Sequence, residues 1–328
     1  MANSQTLVAA GAGRMGRSMA VAFAYAGLPM TVLDLKDRDA AGFDALRASA
    51  QAEINGHLNT LHRLGVLVDE GAVAMLAGRI SIRPIADAQS VLAEADVVFE
   101  GVPEVLENKR SAFEVVERFA PETCTIASTT SSFLSSDLAG MLSMPARFLN
   151  AHWLNPAYLI PLVEVSPHAG TDAGVTEQMN ALLRQIGKEP VVCKASPGYI
   201  VPRLQALVMN EAVRMVEEGV ASAEDIDKAA RLGFGLRYGS MGVLEFVDFG
   251  GLDILYYASR YLAGAIDENR YASPPMVEKM MADGDVGVRS GQGLYDWRGK
   301  DVDAFRDETL GRFVESLRQQ NLIKPPVL

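Results

Sequence analysis

A short apolar strand that runs through three spaced glycines into a helix restricts this chain more than any other feature. The segment "TLVAAGAGRMGRSMAVAFAYAG" carries Gly11, Gly13 and Gly16 as a G-x-G-x-x-G between a strand-like run and a helical pattern. In that setting each glycine has a physical task. Gly11 permits the tight turn, Gly13 lets backbone approach a pyrophosphate, and Gly16 lets the helix pack closely on the strand, with phosphates held at the helix N-terminus. The next strand, "PMTVLDL", ends in Asp34. A carboxylate about 20 residues beyond the glycines is where ribose hydroxyls are bound and a 2'-phosphate is repelled. The pattern predicts a Rossmann-type α/β domain that takes NAD. Lys36 and Arg38 follow closely enough to keep NADP as a minor alternative.

At 328 residues the chain exceeds the usual size of one core, so two domains are expected. Hydrophobic residues make up 49%, enough for a substantial core. The net charge of -11 comes without any cluster of Lys and Arg, which argues against nucleic acid as a partner. Cys124 and Cys193 lie in apolar segments at no metal-like or disulfide-like spacing and read as buried thiols, so no metal is expected. No basic leader precedes the first strand, and no apolar run is long enough to span a bilayer. A cytoplasmic protein with no membrane partner is the expectation.

Further strand signals occur at "ADVVFEGV", "TCTIAS", "RFLNAH" and "LVEV", with helical stretches between several of them, such as Asn108 to Phe119. Residues of about 40–77 are too long for a simple crossover and read as two helices inserted into the domain. Pro197 and Gly198 mark a joint after the strand "EPVVCK". The predicted domains are 1–194, dinucleotide-binding, and 195–328, all-helical. In the second, Leu204, Leu207, Val208, Ala212 and Met215 mark one face of a helix, and Ser222 with Asp225 resembles a helix start. Its apolar helices lead us to expect a homodimer, and a substrate site is expected in the cleft between the domains.

Imidazole chemistry has four sources, His57, His62, His152 and His168. His57 and His62 stand five apart in the insertion, which does not align them for a shared metal, and both are expected at the surface. His152 is different. In "RFLNAHWLNPAYLIPLVEV" it would end a strand, with Glu164 on the neighbouring strand able to reach back across the "NPAY" loop. A carboxylate on one imidazole nitrogen fixes the tautomer and raises the basicity of the other. A half-buried histidine beside an unrelated glutamate is an equal reading of the pair in isolation. The dinucleotide fold tips the balance, since oxidising a secondary alcohol with NAD requires a base for the hydroxyl proton.

Taken in order, "GAGRMG", "EGVPEVLENK", "STTSS", "AHWLNP", "LVEV", "SPGYIVPR", "EDIDKA", "FVDFGGLD" and "SGQGLYDW" resemble the L-3-hydroxyacyl-CoA dehydrogenase superfamily over nearly the whole chain. The resemblance implies that His152 is the catalytic base, Glu164 its orienting carboxylate and Ser131 the hydroxyl that bonds the substrate. It also implies that Glu104 and Lys109 lie near the nicotinamide ribose, with Asn155 beside the substrate. The chain departs from the family pattern at Pro202 and Thr129, where asparagine is usual, in "IPLVEV", and in having no lysine from Asp37 to Ile80. In these respects, and in "GFGLRYGSMG", it is more similar to the lambda-crystallin (L-gulonate 3-dehydrogenase) and carnitine dehydrogenase branch, which acts on free hydroxy acids. Arg237, in that last stretch, is the candidate grip for a carboxylate. The expected substrate is therefore a short L-3-hydroxy acid, with a 3-hydroxyacyl-CoA such as 3-hydroxybutyryl-CoA as the alternative. A catalytically retired, NAD-binding crystallin-like protein is a further one.

Overall fold

Strand residues in the first half alternate between two apolar layers, and this alternation dictates where everything else sits. The computed structural model describes residues 5–324 and residue 326. The chain divides into two compact units, Met1–Val208 and Met209–Leu328. In the first, β1 (Leu7–Ala10), β2 (Met30–Leu33), β3 (Ile80–Arg83), β4 (Val97–Glu100), β5 (Thr125–Ser128), β6 (Phe148–Trp153), β7 (Leu162–Pro167) and β8 (Glu189–Val192) form one eight-stranded sheet. Its order is β3-β2-β1-β4-β5-β6-β7-β8. Pairing is parallel except between β6 and β7, which run antiparallel.

Leu7, Ala9, Val32 and Phe99 point to one layer, with Met19 and Phe23 of α1 (Arg14–Tyr25) and Ile54 and Leu58 of α2 (Ala40–Arg63). Val8, Ala10, Val98 and Ile126 point to the other, against Phe113 and Val116 of α5 (Leu106–Phe119). Strands covered on both faces must be apolar throughout, and β1, β4 and β5 are fully buried. Strand β3 begins three residues after the insertion, whose second helix is α3 (Glu70–Ala77). Helix α4 (Ala88–Leu92) precedes β4, α6 (Ser135–Ala139) precedes β6, and α7 (Ala173–Gln185) precedes β8. The insertion does not stand off the domain, because Ala50, Ile54, Leu58 and Leu61 of α2 are fully part of the layer over α1.

Helix α8 (Val201–Glu217) runs across the division into a unit without a named strand. Its longer helices are Leu252–Ala265 and Val302–Gln319. Ser222 caps helix Ala223–Ala230 by accepting from the Asp225 backbone N–H. Buried Asp248 ties the "SGQGLYDW" segment down, accepting from the Leu294 and Tyr295 N–H groups and the Trp297 indole. Among the described residues, no helix is long and apolar enough to cross a membrane.

Candidate active site

On β6, Leu149, Ala151 and Trp153 face the α1 layer, so the period of two sends Asn150 and His152 to the opposite face. On β7, Val163 and Val165 do the same, leaving Glu164 and Ser166 on the polar side. The antiparallel register pairs His152 directly with Glu164. His152 is 5% exposed and Glu164 0%, and His152 Nδ1 lies 2.8 Å from Glu164 Oε2. The other carboxylate oxygen accepts from the N–H groups of Ile200 and Val201, each at 2.8 Å, at the start of α8. Burial alone would raise the Glu164 carboxyl. The hydrogen bond from His152 and those two N–H groups outweigh it and hold the group below the usual carboxylate range. A carboxylate that stays ionised beside Nδ1 makes that nitrogen the proton carrier. It leaves Nε2, which has no hydrogen bond among the described residues, with a free lone pair.

Tyr199 completes the pair. Its ring stacks on the His152 imidazole at 4.9 Å with planes 1° apart, and its hydroxyl donates to the Thr130 carbonyl while accepting from Asn150 Nδ2. Tyr199 adopts φ 46, a left-handed backbone uncommon for a bulky residue, which turns the chain from β8 towards α8. The contact also ties the imidazole to the turn bearing Ser131. That turn is gathered by Glu104, whose Oε1 accepts from Thr130 Oγ1 and from the N–H groups of Ser131 and Ser132. Ser131 itself is exposed. Lys109 is 1% exposed and lies between Glu100 and Glu104, with Nζ at 3.0 Å and 3.1 Å from their carboxylates. Its ammonium is thereby enclosed by the two carboxylates.

The glycine loop fits a dinucleotide for a reason the structure makes visible. Gly11 has φ +127, and a Cβ there would lie 2.7 Å from the Gly101 carbonyl; a Cβ on Gly16 would lie 2.2 Å from that of Gly11. The fold itself requires these two glycines. Gly13 has an ordinary φ of -80, and its Cβ would meet only the Gly101 oxygen at 3.7 Å. Nothing in the fold excludes a side chain there, and the bare backbone leaves the N-terminus of α1 open to an anionic group. The order β2-β1-β4 also puts this loop at the topological switch of the sheet. Asp34 follows β2, nearly buried, and accepts from Arg38 Nε at 2.6 Å. Arg38 is thereby engaged with the Asp34 carboxylate.

Asn155 is exposed in the loop after β6, and Arg237 belongs to the second unit, where its guanidinium stacks on Phe246 at 5.5 Å. Arg237 is thus not part of the cluster around His152 within the first unit. Pro202 occupies the first turn of α8, where a missing N–H costs nothing. His57 and His62, expected at the surface, are half-buried. His57 Nε2 is buried 3.6 Å from Glu53, with its ring against Tyr158, and His62 Nδ1 bonds the Leu67 carbonyl at 2.9 Å. Cys124 is buried as expected, whereas Cys193 is only half-buried. Sequence reasoning passed over Tyr199, Asn150 and Lys188. The aromatic beside Gly198 was the one visible signal.

A dinucleotide cradle joined in one sheet to a buried imidazole–carboxylate pair defines an NAD-dependent oxidoreductase that acts on an alcohol. Comparison with known proteins narrows this class. Residues 6–196 match "3-hydroxyacyl-CoA dehydrogenase, NAD binding domain" and residues 198–297 match "3-hydroxyacyl-CoA dehydrogenase, C-terminal domain". The chain belongs to the 3-hydroxyacyl-CoA dehydrogenase family, and it oxidises the 3-hydroxyl of a small hydroxy-acid or acyl substrate with NAD. It is 33% identical to the 3-hydroxyadipyl-CoA dehydrogenase of Escherichia coli over 91% of this chain and 60% of that protein's length. It is 34% identical to the lambda-crystallin homolog of Bos taurus over 77% of each. A solved 3-hydroxyacyl-CoA dehydrogenase from Archaeoglobus fulgidus superposes with a TM-score of 0.75 at 31% identity, covering 98% of this chain and 100% of that one.

Proposed function

We propose that His152 is the general base of this oxidation, and the observation that carries the reading is the buried His152–Glu164 pair with Nε2 unengaged. Nε2 takes the proton of the substrate's 3-hydroxyl, and Glu164 stabilises the imidazolium that results. The Ser131 hydroxyl bonds the substrate oxygen, with its backbone steadied by Glu104. NAD, when bound, supplies the hydride acceptor. Gly11, Gly13 and Gly16 hold its pyrophosphate, Asp34 one ribose and Glu104, with Lys109 behind it, the other. Asn155 borders the substrate. The working division of labour is residues 1–194 for cofactor and base and 195–328 for substrate and assembly.

For the substrate we propose a free short-chain 3-hydroxy acid, ahead of its CoA thioester. Identity alone does not favour a branch, since relatives named for CoA substrates and for lambda-crystallin both stand at 33–34%. The residues do: no lysine from Asp37 to Ile80 is available for a CoA phosphate, and Pro202 and Thr129 replace the usual asparagines. Arg237 is the proposed carboxylate grip. The test is NADH production on paired free acids and CoA esters, with parent enzyme and Arg237→Met. Hydrogen bonds to a charged group contribute about 1.5–3 kcal/mol, so the free acid should lose about ten-fold or more in kcat/KM, mostly through KM, while the ester is unaffected. Parent activity confined to esters overturns this choice. We further propose a cytoplasmic location, and a homodimer through the helical unit, the latter supported by exposed Met209, Val213, Ile254, Tyr257 and Tyr261.

A further inference from the structure

A buried ammonium without a counter-ion is costly, and the first unit contains one under the loop that follows the strand of the proposed base. Lys188, at the turn between α7 and β8, is 5% exposed, and no Asp or Glu among the described residues lies within salt-bridge distance of it. Burial pushes its pKa down. Its Nζ instead donates to the carbonyls of Ala157 and Ile160 at 2.7 and 2.8 Å, and lies 5.7 Å from the centre of the Trp153 ring. Those three residues bracket the loop that follows β6: Trp153 is the residue after His152, and Asn155 lies between Trp153 and Ala157.

The same loop is held from other sides. The Ala157 N–H donates to buried Ser18 of α1 at 3.1 Å, the Glu189 N–H donates to the Pro161 carbonyl at 2.9 Å, and the Tyr158 ring packs on His57 at 4.7 Å. Trp153 in turn packs against Phe23 and Phe99 at about 6 Å, beneath the nucleotide helix. A surface loop would ordinarily satisfy its carbonyls with water. Here two are drawn inward onto one cation, which fixes their direction at the expense of desolvating a charge.

We infer that Lys188 is a positioning residue for the oxidation, holding the Asn155–Ile160 loop and the end of β6 so that His152 and Asn155 meet the substrate in one fixed geometry. The inference rests on the assignment of His152 as base. Lys188→Met removes the donors and nearly keeps the shape; Lys188→Gln keeps two amide donors without the charge.

The experiment measures NAD affinity by fluorescence, steady-state turnover, and the primary isotope effect with 3-deuterated hydroxy substrate, for both variants and for His152→Asn. Expected for Lys188→Met are NAD affinity within about two-fold of parent, kcat lower by about ten- to a hundred-fold as for a small misplacement of reacting groups, and a larger isotope effect. Lys188→Gln should recover part of kcat. Turnover of Lys188→Met within about two-fold of parent overturns the inference while a dead His152→Asn leaves the base assignment standing. NAD affinity and kcat falling in parallel in both variants also overturns it, because Lys188 then only supports the fold. Near-parental turnover in His152→Asn sinks the base assignment itself.

Discussion

Glu164→Gln exchanges one carboxylate oxygen for an amide nitrogen in a site where both oxygens are committed. Three donors converge there: the His152 Nδ1–H and the N–H groups of Ile200 and Val201, all at 2.8 Å. An amide offers a single acceptor oxygen. If that oxygen stays with the α8 backbone, the NH2 faces Nδ1, which must then accept, and the ring proton moves to Nε2, the atom required to take the substrate's proton. If it stays with His152, the NH2 points at two backbone donors. Base catalysis contributes about 100- to 10,000-fold, so kcat should fall by that order, equivalent to about 2.7–5.4 kcal/mol in barrier. Each buried donor left unmade should also cost about 1–3 kcal/mol of stability. Because the Glu164 carboxyl is held below its ordinary value, its stabilisation is full above the unfolded pKa, about 4.3, and is lost as pH falls through the lower folded value. The urea-unfolding gap between parent and variant should therefore narrow as pH falls below about 5. NADH formation, with NAD binding as the check on folding, measures the kinetic part. A kcat within about three-fold of parent and an unchanged pH–rate profile would refute the tautomer argument.

His152→Asn should keep NAD affinity and lose about 100- to 10,000-fold in kcat, with binding followed by fluorescence and turnover by absorbance. NAD should be favoured over NADP in kcat/KM, and Asp34→Ser, which removes the repelling carboxylate and frees Arg38, should narrow that preference; an unchanged ratio would remove Asp34 from cofactor choice. Burial pushes the Cys124 thiol up to about 12, so native protein at neutral pH should not react there with a thiol reagent, whereas both cysteines should titrate after unfolding.

The sequence by itself determined the glycine cradle, the strand that ends at Asp34, the pairing of a histidine with a glutamate across the "NPAY" loop and the change from strands to helices after β8. These were legible because each is local: a period of two, a glycine where φ or close approach demands it, or two strands joined by a short loop. The tertiary structure decided how the groups are used. Glu164 is kept ionised by the first N–H groups of a helix that begins 37 residues later, counted from Glu164 to Val201. Lys109 spends its charge on two carboxylates, Tyr199 stacks on the imidazole while tethering the Ser131 turn, and Lys188 draws the loop carbonyls inward. His57 likewise sits in an exposed-looking helical pattern, yet it is half-buried, with Tyr158, from a loop about a hundred residues away, packed on its ring. Burial and hydrogen-bond geometry depend on which distant segments meet, and no local pattern encodes that meeting.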